Sequence, residues 1–144
     1  MIETHTQTEA RVRDAIQSGG IQVVVFWAQW CSNSISQLTR GLAESVEQHE
    51  DVGFTFVSLW DEGRDGAGTL RDHGVPARAL VLGQPGVGEE APKELRRKEF
   101  LGLPVTWIPT TWVFREGHLA YAFNYGEVTR DQLDTALSGA RNDW

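Results

Sequence analysis

Ile21-Gln22-Val23-Val24-Val25-Phe26-Trp27-Ala28-Gln29-Trp30-Cys31-Ser32-Asn33-Ser34 is the stretch from which the fold follows. Apart from Gln22, Ile21 to Trp27 is an unbroken apolar run, short and rich in β-branched residues. A strand with one wet face alternates, whereas an unbroken run needs cover on both faces. The run therefore reads as the central strand of a buried sheet. Beyond it, Ile35, Leu38, Leu42 and Val46 recur at helical spacing and predict a helix over 34–48. Gly41 falls inside that helix, at a cost of about 1 kcal/mol against alanine. Cys31 thus stands between a buried strand and the start of a helix. A thiolate there faces backbone N–H groups that have no intrahelical partner, and the positive end of the helix dipole. Both favour a reactive sulfur. The competing reading of a free cysteine is a small buried hydrophobe. Gln29, Ser32 and Asn33 around it argue for an exposed turn instead.

Working outward, Thr6-Gln7-Thr8-Glu9 has capping-box spacing and opens a helix over 9–18, with Val12, Ala15 and Ile16 on one face. Gly19-Gly20 ends it. A second strand is expected over 54–60, and a short helix over 64–73, closed by Gly74 and Pro76. Ala79 to Leu82 is a short strand, and Gln84-Pro85-Gly86-Val87-Gly88 a loop. Pro92 at a first helical position and Gly102 just past the end bracket a charged helix. Thr110 to Phe114 and Leu119 to Phe123 flank the turn Arg115-Glu116-Gly117 and form a hairpin. Thr129-Arg130-Asp131-Gln132 is another capping box, opening a last helix with Leu133, Ala136 and Leu137 inward. Strands alternating with helices imply parallel pairing, and the late hairpin adds antiparallel strands. The expected class is α/β, a central mixed sheet with helices on both faces.

The chain has 144 residues, which suits one domain over 1–144. Its formal net charge of −7 disfavours sequence-independent nucleic-acid binding, which needs a basic surface to displace counterions. No run approaches the roughly 18 apolar residues of a membrane span. Met1-Ile2-Glu3-Thr4-His5 shows no basic region before an apolar stretch, so a cytoplasmic location is expected, or an exported one if a leader precedes this sequence. Cys31 is the sole cysteine, which excludes an internal disulfide and a thiolate zinc cluster. His5, His49, His73 and His118 are scattered without metal-ligand spacing, and no metal is expected.

Phe26-Trp27-Ala28-Gln29-Trp30-Cys31-Ser32-Asn33-Ser34 resembles the active-site stretch of thioredoxins, F-W-A-x-W-C-x-x-C. Trp107-Ile108-Pro109-Thr110-Thr111 resembles the I-P-T loop that faces the cysteines in that family. An extra strand and helix in roughly 75–102 are similar to the insertion of the TlpA-like branch, which includes exported thiol–disulfide oxidoreductases. The likeness runs from about residue 8 to residue 138. It implies a thioredoxin fold, a cis bond before Pro109, and backbone groups of Ile108 turned toward the sulfur to pair with an extended partner. It also implies Trp30 as an apolar contact beside the sulfur, with Ser32 and Asn33 lining the approach. Trp27 reads as core, as do Trp60 and Trp112 in their strands.

The departures are as informative. A dithiol enzyme uses a second cysteine to break the mixed disulfide; Ser34 stands there. The buried aspartate of many thioredoxins is replaced by Val25, and the glutamate of TlpA-like members by Gln37. Without a resolving thiol the proton acceptor has no task, so the three changes read as one loss. The expected function is monothiol exchange. Cys31 attacks protein disulfides or glutathionylated thiols, and glutathione or another external thiol resolves the product; no cofactor is otherwise required. The alternative is a non-catalytic binding module that uses the Trp30 and Ile108 surface. A peroxidase is disfavoured because Ala28 stands where peroxiredoxins place threonine. A glutathione transferase is disfavoured because the chain is too short for the helical second domain.

Overall fold

The structure, a computed structural model, describes residues 5–142. Helix α1 spans His5–Gln17, followed by strand β1 at Ile21–Trp27. Helix α2, Ser32–Gln37, passes through a π turn at Leu38–Leu42 into α3, Ala43–Gln48. Then come β2 (Gly53–Ser58), α4 (Ala67–Asp72) and β3 (Leu80–Gly83). A single 3-10 turn at Lys93–Leu95 precedes two short strands, β4 (Glu99–Phe100) and β5 (Leu103–Pro104). The chain ends on β6 (Thr110–Arg115), β7 (His118–Phe123) and α5 (Arg130–Arg141). The main sheet has the order β3-β2-β1-β6-β7. β1 pairs parallel with β2, and β2 with β3, whereas β6 and β7 run antiparallel.

β1 is the centre of this sheet, and its unbroken apolar run is explained by two covers. Val23, Val25 and Trp27 face a core built with Leu38, Leu42, Val46 and Leu70, closed by Leu133, Ala136 and Leu137 of α5. Val24, Phe26 and Ala28 face the other core, with Val12 and Ile16 of α1, Trp112, and Phe100 and Val105 from the segment before Pro109. Phe26 meets Phe100 and Trp112 edge-on, with ring centroids 5.0 and 4.6 Å away. Such pairs contribute about 0.5–1.5 kcal/mol beyond the area they bury. Trp27, Trp60 and Trp112 are all buried, but the strand expected over 54–60 ends at Ser58, and Trp60 lies beyond it in a bend with φ 57°. Trp144 and Met1 to Thr4 lie outside the described residues.

Three local expectations are corrected. Helix α1 begins before Glu9, so Thr6-Gln7-Thr8-Glu9 is not its cap; Thr8 is buried within the helix and Glu9 has another task, described below. The charged helix expected between Pro92 and Gly102 is one 3-10 turn followed by the β4–β5 hairpin. Burial of Phe100 and backbone contacts outweigh helix propensity there: Arg97 O accepts from Trp60 Nε1 at 2.9 Å, and Lys98 O from Val105 N at 2.9 Å. Leu101 and Gly102 then turn with φ of 51° and 76°.

The third concerns Gly41, which is no mere weak point in a helix. Its φ is 135°, at the π turn where α2 kinks into α3, and an added Cβ would lie 2.9 Å from Arg130 Cβ. Gly41→Ala is expected to destabilise by about 1–2 kcal/mol, since this region of φ is closed to residues with a Cβ. Urea unfolding checks it; an unchanged midpoint would mean that the kink relaxes freely. The Thr129 capping box is present in full, with Thr129 Oγ1 accepting Gln132 N–H at 3.1 Å and Gln132 Oε1 accepting Thr129 N–H at 2.9 Å.

Candidate functional site

Cys31 is the N-cap of α2, with φ −87° and ψ 116°, so it leaves β1 extended and enters the helix. Its carbonyl accepts Ile35 N–H at 3.1 Å, and its own N–H reaches Ala28 O at 3.1 Å. The thiol is half-buried and donates to Ile108 O at 3.8 Å, across 77 positions of sequence. The β1–β6 pairing brings these two loops together: Phe26 lies opposite Thr110, so the ends of both strands open on the same side. The Ile108–Pro109 bond is cis.

Ser34, one turn into the helix, is buried, and its Oγ accepts Ala28 N–H at 3.3 Å. It ties the helix back to the end of β1. Gln37 is also buried, and its Oε1 accepts Val128 N–H at 2.7 Å, fixing the loop that leads into α5. Each satisfies a backbone donor that would otherwise be buried without a partner. Val25 is plain core.

Cys31 borders a cavity of about 250 Å³, together with Trp30, Trp60, Trp107 and Ile108. Trp30 Nε1 donates to Trp60 O at 3.0 Å, which fixes its ring as a wall. Asn33 lines the opening; Ser32 is exposed but outside the lining. Ile108 lines the cavity as a buried residue with its carbonyl on the sulfur, while its neighbour Trp107, 51% exposed, supplies apolar surface at the rim. Sequence reasoning missed Trp60, Trp107, Lys93, Arg96 and Lys98, all of which line the cavity. One signal was available: four of the chain's 13 Lys and Arg residues fall within 93–98, in a protein of net charge −7.

The arrangement offers one half-buried sulfur at a helix start, beside a backbone carbonyl and an aromatic recess. Among the described residues, no group of three or more His, Cys, Asp or Glu is placed to hold a metal ion. No described helix is long and apolar enough to cross a membrane.

The chain matches no family model, and no curated protein matches it in sequence. Solved structures do match. A secreted thiol-disulfide isomerase from Corynebacterium glutamicum aligns over 85% of this chain and 72% of its own, with 23% identity and a TM-score of 0.57. The chain has the thioredoxin fold. A DsbF homologue from Corynebacterium diphtheriae aligns over 83% of this chain and 71% of its own, with 21% identity and a TM-score of 0.56. Mitochondrial thioredoxin 3 from Saccharomyces cerevisiae covers 90% and 88%, at 18% identity and a TM-score of 0.52. At these identities the likeness establishes the fold, and activity has to be argued from the site.

Proposed function

We propose that this protein performs monothiol thiol–disulfide exchange, with Cys31 as nucleophile. The observation that carries the reading is the position of its thiol, half-buried at the start of α2 and facing both the cavity and the Ile108 carbonyl. Cys31 attacks a disulfide, forms a new S–S bond and releases the other sulfur as a thiolate, which takes up a proton. Cys31 being the sole cysteine and Ser34 being engaged by Ala28 N–H, no internal group reverses the step. An external thiol such as glutathione does so by attacking the mixed disulfide. Trp30, Asn33 and the Ile108–Pro109 segment hold the partner beside the sulfur, with Ser32 at the outer edge. Protein disulfides and glutathionylated thiols are the substrate class.

Intact mass after exposure to oxidised glutathione is expected to show one adduct, absent in Cys31→Ser. Failure to react when folded, with ready labelling once unfolded, would overturn the reading. Exposed Trp107 beside the cavity favours a second reading, a non-catalytic module that docks a protein segment. That module would leave the folded thiol inert.

A further inference from the structure

The cavity beside Cys31 is lined by Lys93, Arg96 and Lys98, and no carboxylate lines it. This is contrary to the protein as a whole, whose net charge is −7. The neighbouring recess, which shares Trp30, is the acidic one, with Asp61, Glu62, Glu89 and Glu90 against a single Arg64. Arg96 is built into the wall. Its guanidinium carbon lies 5.2 Å from the Trp30 ring centroid and 5.0 Å from that of Trp60. Flat aromatic faces hold a guanidinium while leaving its in-plane donors directed outward. Its Nε is buried without a hydrogen-bond partner, and one terminal nitrogen reaches Glu89 O at only 3.4 Å. Among the described residues, none of the three cations forms an ion pair, whereas adjacent Arg97 is engaged by Glu9 at 2.5 Å. Three positive charges without counter-charge, around an apolar recess, make a site for an anion.

Resting on the exchange reading above, we infer that among its disulfide substrates Cys31 favours those with a small anionic half, whose carboxylates sit on Lys93, Arg96 and Lys98 while the sulfur reaches Cys31. A cavity of about 250 Å³ lies at the small end of ligand sites, roughly 300–1,000 Å³, which suits a molecule of tripeptide size or less. The Cys31 thiol loses its proton to solvent, its sulfur bonds to one sulfur of the carboxylate-bearing disulfide, and the second half leaves as a thiolate that is protonated. The cations raise the local concentration of the anion and leave the bond chemistry unchanged.

The test compares rates of mixed-disulfide formation with dithiodipropionate (anionic), hydroxyethyl disulfide (neutral) and cystamine (cationic). Each rate is divided by that of a free cysteine peptide, to remove intrinsic reactivity. The order anionic, neutral, cationic is expected, with about a tenfold or greater spread at low salt that shrinks as salt rises. Lys93→Gln/Lys98→Gln changes two exposed side chains and should compress the spread. Arg96→Gln should compress it too, with thermal melts confirming that each variant is folded. A flat or reversed order, or a spread untouched by folded variants, overturns the anion selection while leaving exchange intact. No adduct with any of the three, the neutral one included, overturns exchange itself and the selection with it.

Discussion

Ser34→Cys is expected to form an intramolecular disulfide with Cys31 and to turn the protein into a reductase of insulin in the presence of dithiothreitol. Position 34 lies three residues along the chain, on the first turn of α2, with its side chain directed back toward the end of β1. That spacing brings two Cα atoms into the disulfide range of about 4.4–6.8 Å. An internal thiol attacks the mixed disulfide without waiting for a second molecule. Well-placed intramolecular reactions reach effective molarities of about 10⁵ M or more, so a gain on the order of a hundredfold is a modest expectation. The loss is small: the sulfur is a poorer acceptor for Ala28 N–H, at a cost of about 1 kcal/mol. Adding Gln37→Glu keeps an acceptor for Val128 N–H and supplies a carboxylate one turn from the new thiol. It should raise the rate again, most at mildly acidic pH, where the resolving thiol otherwise keeps its proton. Loss of two hydrogens in intact mass, with no alkylatable thiol, marks the internal bond. Two alkylatable thiols after oxidation of a folded variant would mean that the turn geometry has diverged. An efficient insulin reductase in the unsubstituted protein would remove the premise that Ser34 blocks dithiol turnover.

How much of this could be read from the sequence depends on how local the cause is. β1 was legible because an unbroken apolar run records cover on both faces, and its observed bounds, Ile21–Trp27, are those the run predicts. The Thr129 cap was legible because its donors and acceptors lie within three residues. Gly41 was misread because its φ of 135° answers to Arg130 on α5, far along the chain. The segment after Pro92 was misread for the same reason. Pro92 and Gly102 read as the bounds of a charged helix, but Arg96 stacks on two tryptophans and Arg97 reaches Glu9. Cys31, Ser34 and the Ile108–Pro109 loop could be picked out singly. The cavity could not, since its walls come from residues near 30, 60, 93–98 and 106–108, brought together only by the fold.

Glu9→Ala is expected to destabilise by about 3 kcal/mol and to loosen the wall of the site, although Glu9 does not line the cavity. Its carboxylate joins α1 to the segment before Pro109 by two bonds. Oε1 pairs with Arg97 at 2.5 Å, and Oε2 accepts Leu101 N–H at 2.6 Å. The Glu9 side chain is 13% exposed and that of Arg97 28%, so the pair is largely out of water. Removing one partner of such a pair strands the other charge, at about 3–5 kcal/mol when burial is complete. Partial exposure of Arg97 argues for the lower end, and the loss of an acceptor for Leu101 N–H adds to it. Arg97 keeps only a longer contact, 3.8 Å to the largely exposed Glu99 Oε1, and its Nη1 is already buried without a hydrogen-bond partner, which leaves little to take over. The effect reaches the site because Arg97 O accepts from Trp60 Nε1, and Trp60 both lines the cavity and stacks with Arg96. Glu9→Gln keeps one acceptor and loses the charge, so its cost should fall between those of alanine and the parent. Urea unfolding gives the order of stability, and hydrogen exchange at 96–101 should rise in Glu9→Ala before global unfolding sets in. Unchanged exchange in that segment, with an unchanged unfolding midpoint, would mean that Phe100 and Val105 alone hold it against the sheet.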